Sequence, residues 1–354
     1  MTTTFDSLRA GIRAVLRLLV LNAFCLIGVP ALARRQWRGQ LAILTYHGIE
    51  ADPISPPCGY VIDADTLRRE LTYVGKCFNV LPIEEALQRL RDGTLPDRAA
   101  VLTFDDGTRN LAINAAPVLD ELGLPAAVFV VTAPMGTGEA LWPDRLWLAF
   151  TKTRETEIDL SALGLGTRSL RSTAERGQAC EAAVGRLKTL PDADRLARVD
   201  ALVTGLGGEV DAYGGPFQML SWEEARALTR DGTISIHPHS ATHPILSKCP
   251  DDKVEAEITE SCAALGRETG SAPTIFAYPN GDFDDRAKDA LRRNGIAWAL
   301  ATAKGFANAD SDPLALPRIG IGDHFSQAAF RLHVSGALPL AEFRPWSRPS
   351  AVSR

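Results

Sequence analysis

The chain has no Cys-x-x-Cys pair among its six cysteines, Cys25, Cys58, Cys77, Cys180, Cys249 and Cys262. That spacing points away from a thiolate zinc site and from a dense disulfide framework, and it leaves the redox compartment open. Beyond the N-terminus there is no basic stripe, and the net charge is −5, so nucleic acid is not an expected partner. No uncharged apolar run reaches the roughly 20 residues of a membrane-spanning helix. Low-complexity tracts and internal repeats of about twenty to fifty residues are also missing. What remains is an ordinary globular composition: 354 residues, 45% hydrophobic and 23% charged. Such a chain buries a substantial core, as one large domain with an insertion or as two domains.

The most informative stretch is Val101-Leu-Thr-Phe-Asp-Asp-Gly107. Ala99 to Phe104 reads as a buried parallel strand, being short, β-branched and aromatic, and bounded by turn residues. Asp105 and Asp106 therefore fall at its C-terminal end, the edge where βα sheets and barrels bind ligands. Neighbouring side chains on a strand point in opposite directions, so the two carboxylates are expected to do different work. One can hold a metal and the other move a proton. Alone, Asp-Asp-Gly is better read as only a turn with a helix N-cap, and it is the rest of the sequence that reverses this.

Residues 5–33 begin with Phe5, Leu8, Ile12, Leu16 and Leu19 at helical spacing, beside Arg9, Arg13 and Arg17 four apart. That is a basic amphipathic helix. From Leu18 to Ala33 it turns apolar all round, ends in Ala31-Leu-Ala33 and is followed by Arg34, Arg35 and Arg38. A positive start, apolar middle and Ala-x-Ala end fit a secretory signal. Export, anchoring at a membrane surface and a plain packed helix are the three readings, in that order, and the first two share membrane contact. An exported, periplasmic or membrane-associated location is thus favoured over a soluble cytoplasmic one.

Further on, Leu41 to Tyr46 reads as the first core strand, ending at His47 on the same rim as Asp105. Helices are expected from Asp63, from Pro82 through Leu90, and over Asn114 to Leu122, with a strand at Ala126 to Val131. Strand-helix-strand order predicts a right-handed parallel unit. Residues 134–218 break this rhythm with Gly-rich turns, a Trp142 to Phe150 helix and a charged helical stretch from Thr173 to Leu206. The rhythm resumes with helices at Trp222, Lys253 and Asp284 and strands near Thr233, Pro273, Ile296 and Leu316. The Pro-, Ser- and Arg-rich end, from Glu342, is expected to fray.

His237, His239 and His243 lie directly after the Thr233 strand. A spacing of four lets His239 and His243 converge on one metal if the chain turns helically between them. An Asp from a neighbouring strand end would complete two nitrogens and one oxygen with a position open for water, the pattern of a catalytic zinc.

Three ordered motifs, Thr103-Phe-Asp-Asp-Gly107, His239-Ser-Ala-Thr-His243-Pro and Phe276-Ala-Tyr-Pro-Asn-Gly281, resemble those of the polysaccharide deacetylase family, the nodulation-protein-B homology domain of carbohydrate esterase family four. The resemblance extends over most of residues 41–325. It implies a distorted (β/α) barrel of about seven strands, one divalent metal, zinc first with cobalt or nickel possible, and hydrolysis of N-acetyl groups on an N-acetylated glycan. It makes Asp106, His239 and His243 the metal ligands, Asp105 the general base and the backbone N–H of Asn280 an oxyanion donor. Many members have Arg and Tyr where this chain has Ala277 and Asn280. Arg318, on a later strand end, is the candidate replacement for that Arg. The proton donor to the amine is His47 or, second, His324, with His333 read as a surface residue and His237 as packed or supporting. The corresponding division is an N-terminal segment (1–38), a first barrel part (39–133), a helical insertion (134–218), a second barrel part (219–340) and a tail (341–354). Other acyl chemistry on the same barrel, or a catalytically silent sugar-binding protein, are the alternatives.

Overall fold

In the computed structural model, residues 2–208 and 215–338 are described; the expected frayed tail lies outside them. Seven parallel strands form the framework: β1 (Leu41–Tyr46), β2 (Ala99–Phe104), β3 (Ala126–Val130), β4 (Ile234–Pro238), β5 (Ile275–Ala277), β6 (Trp298–Leu300) and β7 (Ile319–Gly320). β1 pairs β2 over its whole length, β2 pairs β3, β3 pairs β4, β5 pairs β6, and β7 returns to β1. A parallel bridge from Leu300 to Leu316 carries the ring from β6 towards β7. No backbone ladder joins β4 to β5 among the described residues, so this distorted (β/α) barrel has one open seam.

Period-two alternation decides what each strand faces. Leu41, Ile43, Val101, Phe129, Ala277 and Leu300 gather in one cluster with the apolar side of helix Ile83–Arg91. Leu44, Tyr46, Leu102, Phe104, Val128 and Val130 pack instead with residues of helices Ala64–Cys77 and Ala116–Leu122. Both faces are covered, which is why the strands read as continuous apolar runs. Asp63 caps the first of these helices by accepting the Thr66 N–H at 2.9 Å.

Between β3 and β4 the chain leaves the barrel. Helices Trp142–Lys152, Thr173–Leu187 and Asp192–Gly205 build their own apolar cluster around Phe150, Leu160, Leu187 and Val199. The charged stretch read as one run is two helices, separated at Pro191, whose missing N–H fits a helix start. A short antiparallel pair, Glu157–Asp159 with Thr167–Ser169, was not anticipated. Nor was helix Gln327–Val334, which buries His333 with its Nε2 3.2 Å from Gly320 O, correcting the surface reading of that residue. All six cysteines are free thiols, with Cys249 and Cys262 in one apolar cluster.

Candidate metal centre and active site

The ladder between β1 and β2 continues one residue into the motif, because the Asp105 N–H donates to Tyr46 O at 2.9 Å. The backbone then turns through left-handed conformations at Asp106 (φ 72°) and Gly107 (φ 80°). A Cβ at Gly107 would sit 2.8 Å from Val130 Cγ1, so both space and conformation require glycine there. This turn separates the fates of the two carboxylates.

Asp105 is buried and receives a bidentate pair from Arg318, Nη1 to Oδ1 at 2.8 Å and Nη2 to Oδ2 at 2.7 Å. Arg318 is itself fixed by donating Nε–H to Ala301 O at 3.0 Å. Burial pushes the Asp105 carboxyl up, but the Arg318 guanidinium holds it well below the usual carboxylate range. Arg318, the candidate replacement for an Arg at position 277, thus reaches Asp105 from beside β7. Asp106 has no such partner. Burial and the adjacent Asp105 charge push its carboxyl up to about 6, against the opposing pull of His47, Arg318 and Lys188.

His239 follows β4 directly and its amide N–H donates to Val130 O at 2.8 Å. Its Nδ1 lies 2.7 Å from Ala277 O. A carbonyl can only accept, so Nδ1 carries the hydrogen and Nε2 presents its lone pair to the site. This bond also reaches from β4 to β5 across the open seam. His243 is brought back by a different route from the expected helical turn. Ser240 (φ 68°) and His243 (φ 61°) are both left-handed, and Ser240 Oγ accepts the His243 N–H at 3.0 Å. The loop is pinned from outside by buried Glu257, whose carboxylate accepts the Thr242 N–H at 2.8 Å. Burial keeps both imidazoles below the usual histidine range, hence neutral, the form that ligates a metal.

His239 Nε2 and His243 Nε2 lie 3.6 and 3.4 Å from Asp106 Oδ1. That oxygen is buried with no hydrogen-bond partner, and the donor atoms of the three residues all lie within 4.8 Å of one another. An orphaned carboxylate oxygen facing two neutral imidazole nitrogens is the donor set of a divalent cation of the zinc type. The residues fit the group.

The third motif forms a tight turn. Asn280 is left-handed (φ 57°), and a Cβ at the following Gly281 would fall 2.1 Å from Thr302 Oγ1. No acceptor among the described residues meets the Asn280 N–H, which leaves it available. Its side chain is held from both ends: Nδ2 donates to Asp282 Oδ2 at 2.5 Å, and Oδ1 accepts from the ammonium of Lys188, the C-cap residue of the inserted helix Thr173–Leu187. Burial draws Lys188 down to about 8, while Asp282 and Asp106 pull the other way. Nothing in the sequence marked this lysine, because its partner is 92 residues away. The same is true of Asp144 on helix Trp142–Lys152, which is buried and accepts the Tyr60 hydroxyl.

His47 stands at the rim, directly after β1, its ring 5.7 Å from that of Tyr60. His324 is exposed and packs on Phe325 at 4.2 Å instead. His237 turns away from the centre, with Nε2 2.9 Å from Ser235 Oγ and 3.2 Å from Glu84 Oε1.

The sequence model of the polysaccharide deacetylase family matches residues 92–159 and 196–299, a span that includes all three motifs and breaks only inside the inserted helices. The chain is recognised by the polysaccharide deacetylase family's model at all three motifs. YxkH of Bacillus subtilis (strain 168), a curated relative that carries the family's name, is 24% identical over 115 residues. That alignment covers 32% of this chain and 41% of YxkH, less than half the length of either. Among solved structures, the Streptococcus pyogenes deacetylase PplD in complex with acetate is similar with a TM-score of 0.54 at 18% identity, over 82% of this chain and 95% of that one. IcaB from Ammonifex degensii gives 0.55 at 16%, over 84% and 97%. A de-N-acetylase from Aggregatibacter actinomycetemcomitans gives 0.53 at 16%, over 83% and 99%. At these identities the likeness is one of fold.

Proposed function

We propose that this protein removes the acetyl group from N-acetylhexosamine units of an oligo- or polysaccharide, using a divalent cation, zinc before cobalt or nickel. The observation that carries the reading is the meeting of the orphaned Asp106 Oδ1 with two imidazole nitrogens beside a carboxylate clamped by Arg318. Asp106, His239 and His243 would hold the cation, which when bound polarises an amide carbonyl and lowers the pKa of water.

The remaining work falls to side chains and one amide. Asp105, kept anionic and aimed by Arg318, takes the proton of the attacking water. The Asn280 N–H donates to the oxygen on which charge develops. His47, which directly follows β1 and packs its ring 5.7 Å from that of Tyr60, gives a proton to the departing amine, with His324 the second candidate. The solved relatives whose names include deacetylase, one with acetate bound, support this choice of chemistry.

Acetate release across soluble, polymeric and lipid-linked N-acetylated glycans tests it, with zinc or cobalt added and after chelation. Release from at least one glycan, lost on chelation and restored by the metal, is expected. Cleavage confined to other acyl compounds would replace it with a different amidase or esterase. Sugar binding without turnover, unchanged by Asp105→Asn, would make the protein a silent binder.

A further inference from the structure

Among the described residues, ten large apolar side chains are well exposed, and nine of them lie between Val15 and Leu32. They are carried by helices Thr2–Leu26 and Val29–Arg34 and, for Ile27, by the turn between them. One side of the first helix is already occupied. Leu21 is only 8% exposed, in a cluster with Ala328, Ala329 and Leu332, and Cys25 Sγ lies 3.5 Å from Ala328 O. Elsewhere on that helix and the turn after it, Leu16, Leu19, Val20, Phe24 and Ile27 recur at helical spacing and face outward, Leu19 61% and Ile27 75% exposed. Monomeric proteins rarely leave so continuous an apolar stripe in water.

Charge indicates what covers it. Between Asp6 and Glu50 there is no acidic residue but there are six arginines, in a chain whose net charge is −5. Arg13 and Arg17 are exposed before or at the start of the stripe, and Arg35 and Arg38 are exposed beyond it. An apolar stripe bracketed by cations complements a lipid surface with anionic headgroups. A second copy of the chain would bring the same cations together, which opposes self-pairing. Neither helix alone is long and apolar enough to cross a bilayer, and the segments Val15–Leu26 and Val29–Trp37 are bent by 58°. With Leu21 held by the protein, the geometry suits a helix lying in the interface plane.

We propose that residues 15–32 are an in-plane anchor that seats the protein on an anionic membrane and stays with the mature chain. Cleavage after Ala33 would strip buried Leu21 and Pro30 from the fold and uncover Leu332. The test uses the full chain and vesicle flotation, with phosphatidylcholine alone and with an equal mixture of phosphatidylcholine and phosphatidylglycerol. Wild-type protein should float with the mixed vesicles, less so as salt rises. Leu16→Glu/Leu19→Glu/Phe24→Glu, all at exposed positions, should lower partition roughly tenfold or more without changing the melting temperature. Arg13→Gln/Arg17→Gln should weaken binding to mixed vesicles and spare binding to neutral ones. Wild-type protein that stays unbound, whether single or paired through this stripe, overturns the proposal. So does an intact mass showing that membrane-extracted protein has lost the residues before Ala33. Neither readout involves acetate, so the anchor and the hydrolase stand or fall separately.

Discussion

At the scale of single residues, the two adjacent aspartates behave as different reagents because only one has a guanidinium partner. Asp105→Asn keeps the volume and the three proposed metal ligands but removes the proposed base. A fall in kcat of about 10²–10⁴ with metal content unchanged is therefore expected, whereas His239→Ala should lose both metal and turnover. Acetate release and metal analysis on the two variants check this; equal metal loss would make Asp105 a ligand. Arg318→Leu leaves a buried carboxylate unpaired and should cost about 3–5 kcal/mol of stability, readable by denaturant unfolding. Lys188→Met should slow turnover about ten- to a hundredfold through the Asn280 turn, with metal content retained. Asp105, Asp106, His239 and His243 were legible because each motif places them within a few residues of one strand end. Arg318 was legible only as a candidate, since pairing across the barrel leaves no local trace. Lys188, Tyr60 and Asp144 left none, because burial and distant partners, not spacing, define their roles.

At the scale of elements, helix Ala64–Cys77 buries a carboxyl of its own. Glu70 lies inside the protein beside the Tyr46 ring system, and neither its oxygens nor the Tyr46 hydroxyl has a well-formed hydrogen bond. Burial pushes Glu70 up to about 8, above its unfolded value of 4.5. The folded state then binds the proton that the unfolded chain has released, so stability is full below about 4.5 and declines as pH rises through about 8. Melting temperatures measured from pH 5 to pH 8 should fall, and Glu70→Gln should flatten that slope; an unchanged slope would remove Glu70 as its source. Long elements with a clear period, such as this helix, β1 and β2, could be read directly from the chain. The turn from His239 to His243 could not, because spacing suggests a helix while Ser240 Oγ and Glu257 impose a left-handed loop. Three-residue pairs such as Glu157–Asp159 with Thr167–Ser169 are too short for periodicity to register.

For the whole molecule, metal occupancy and folding are expected to be coupled. A cation that binds only the folded site stabilises it by mass action, so chelation should lower the melting temperature and zinc should restore it; an unchanged transition would separate the site from the fold. The inserted helices also matter at this scale. They contribute Lys188 and Asp144 to the rim, so the barrel alone does not hold all of its mouth. One further consequence lies in the link from His239 to Ala277. The circle of strands is fastened at its last joint by the back of an imidazole whose front is offered to an ion, so loading the ion should also tighten the hoop. Amide hydrogen exchange along residues 234–238 and 275–277 should then slow on adding zinc, more than in β1 and β2, where an unbroken ladder already does the fastening.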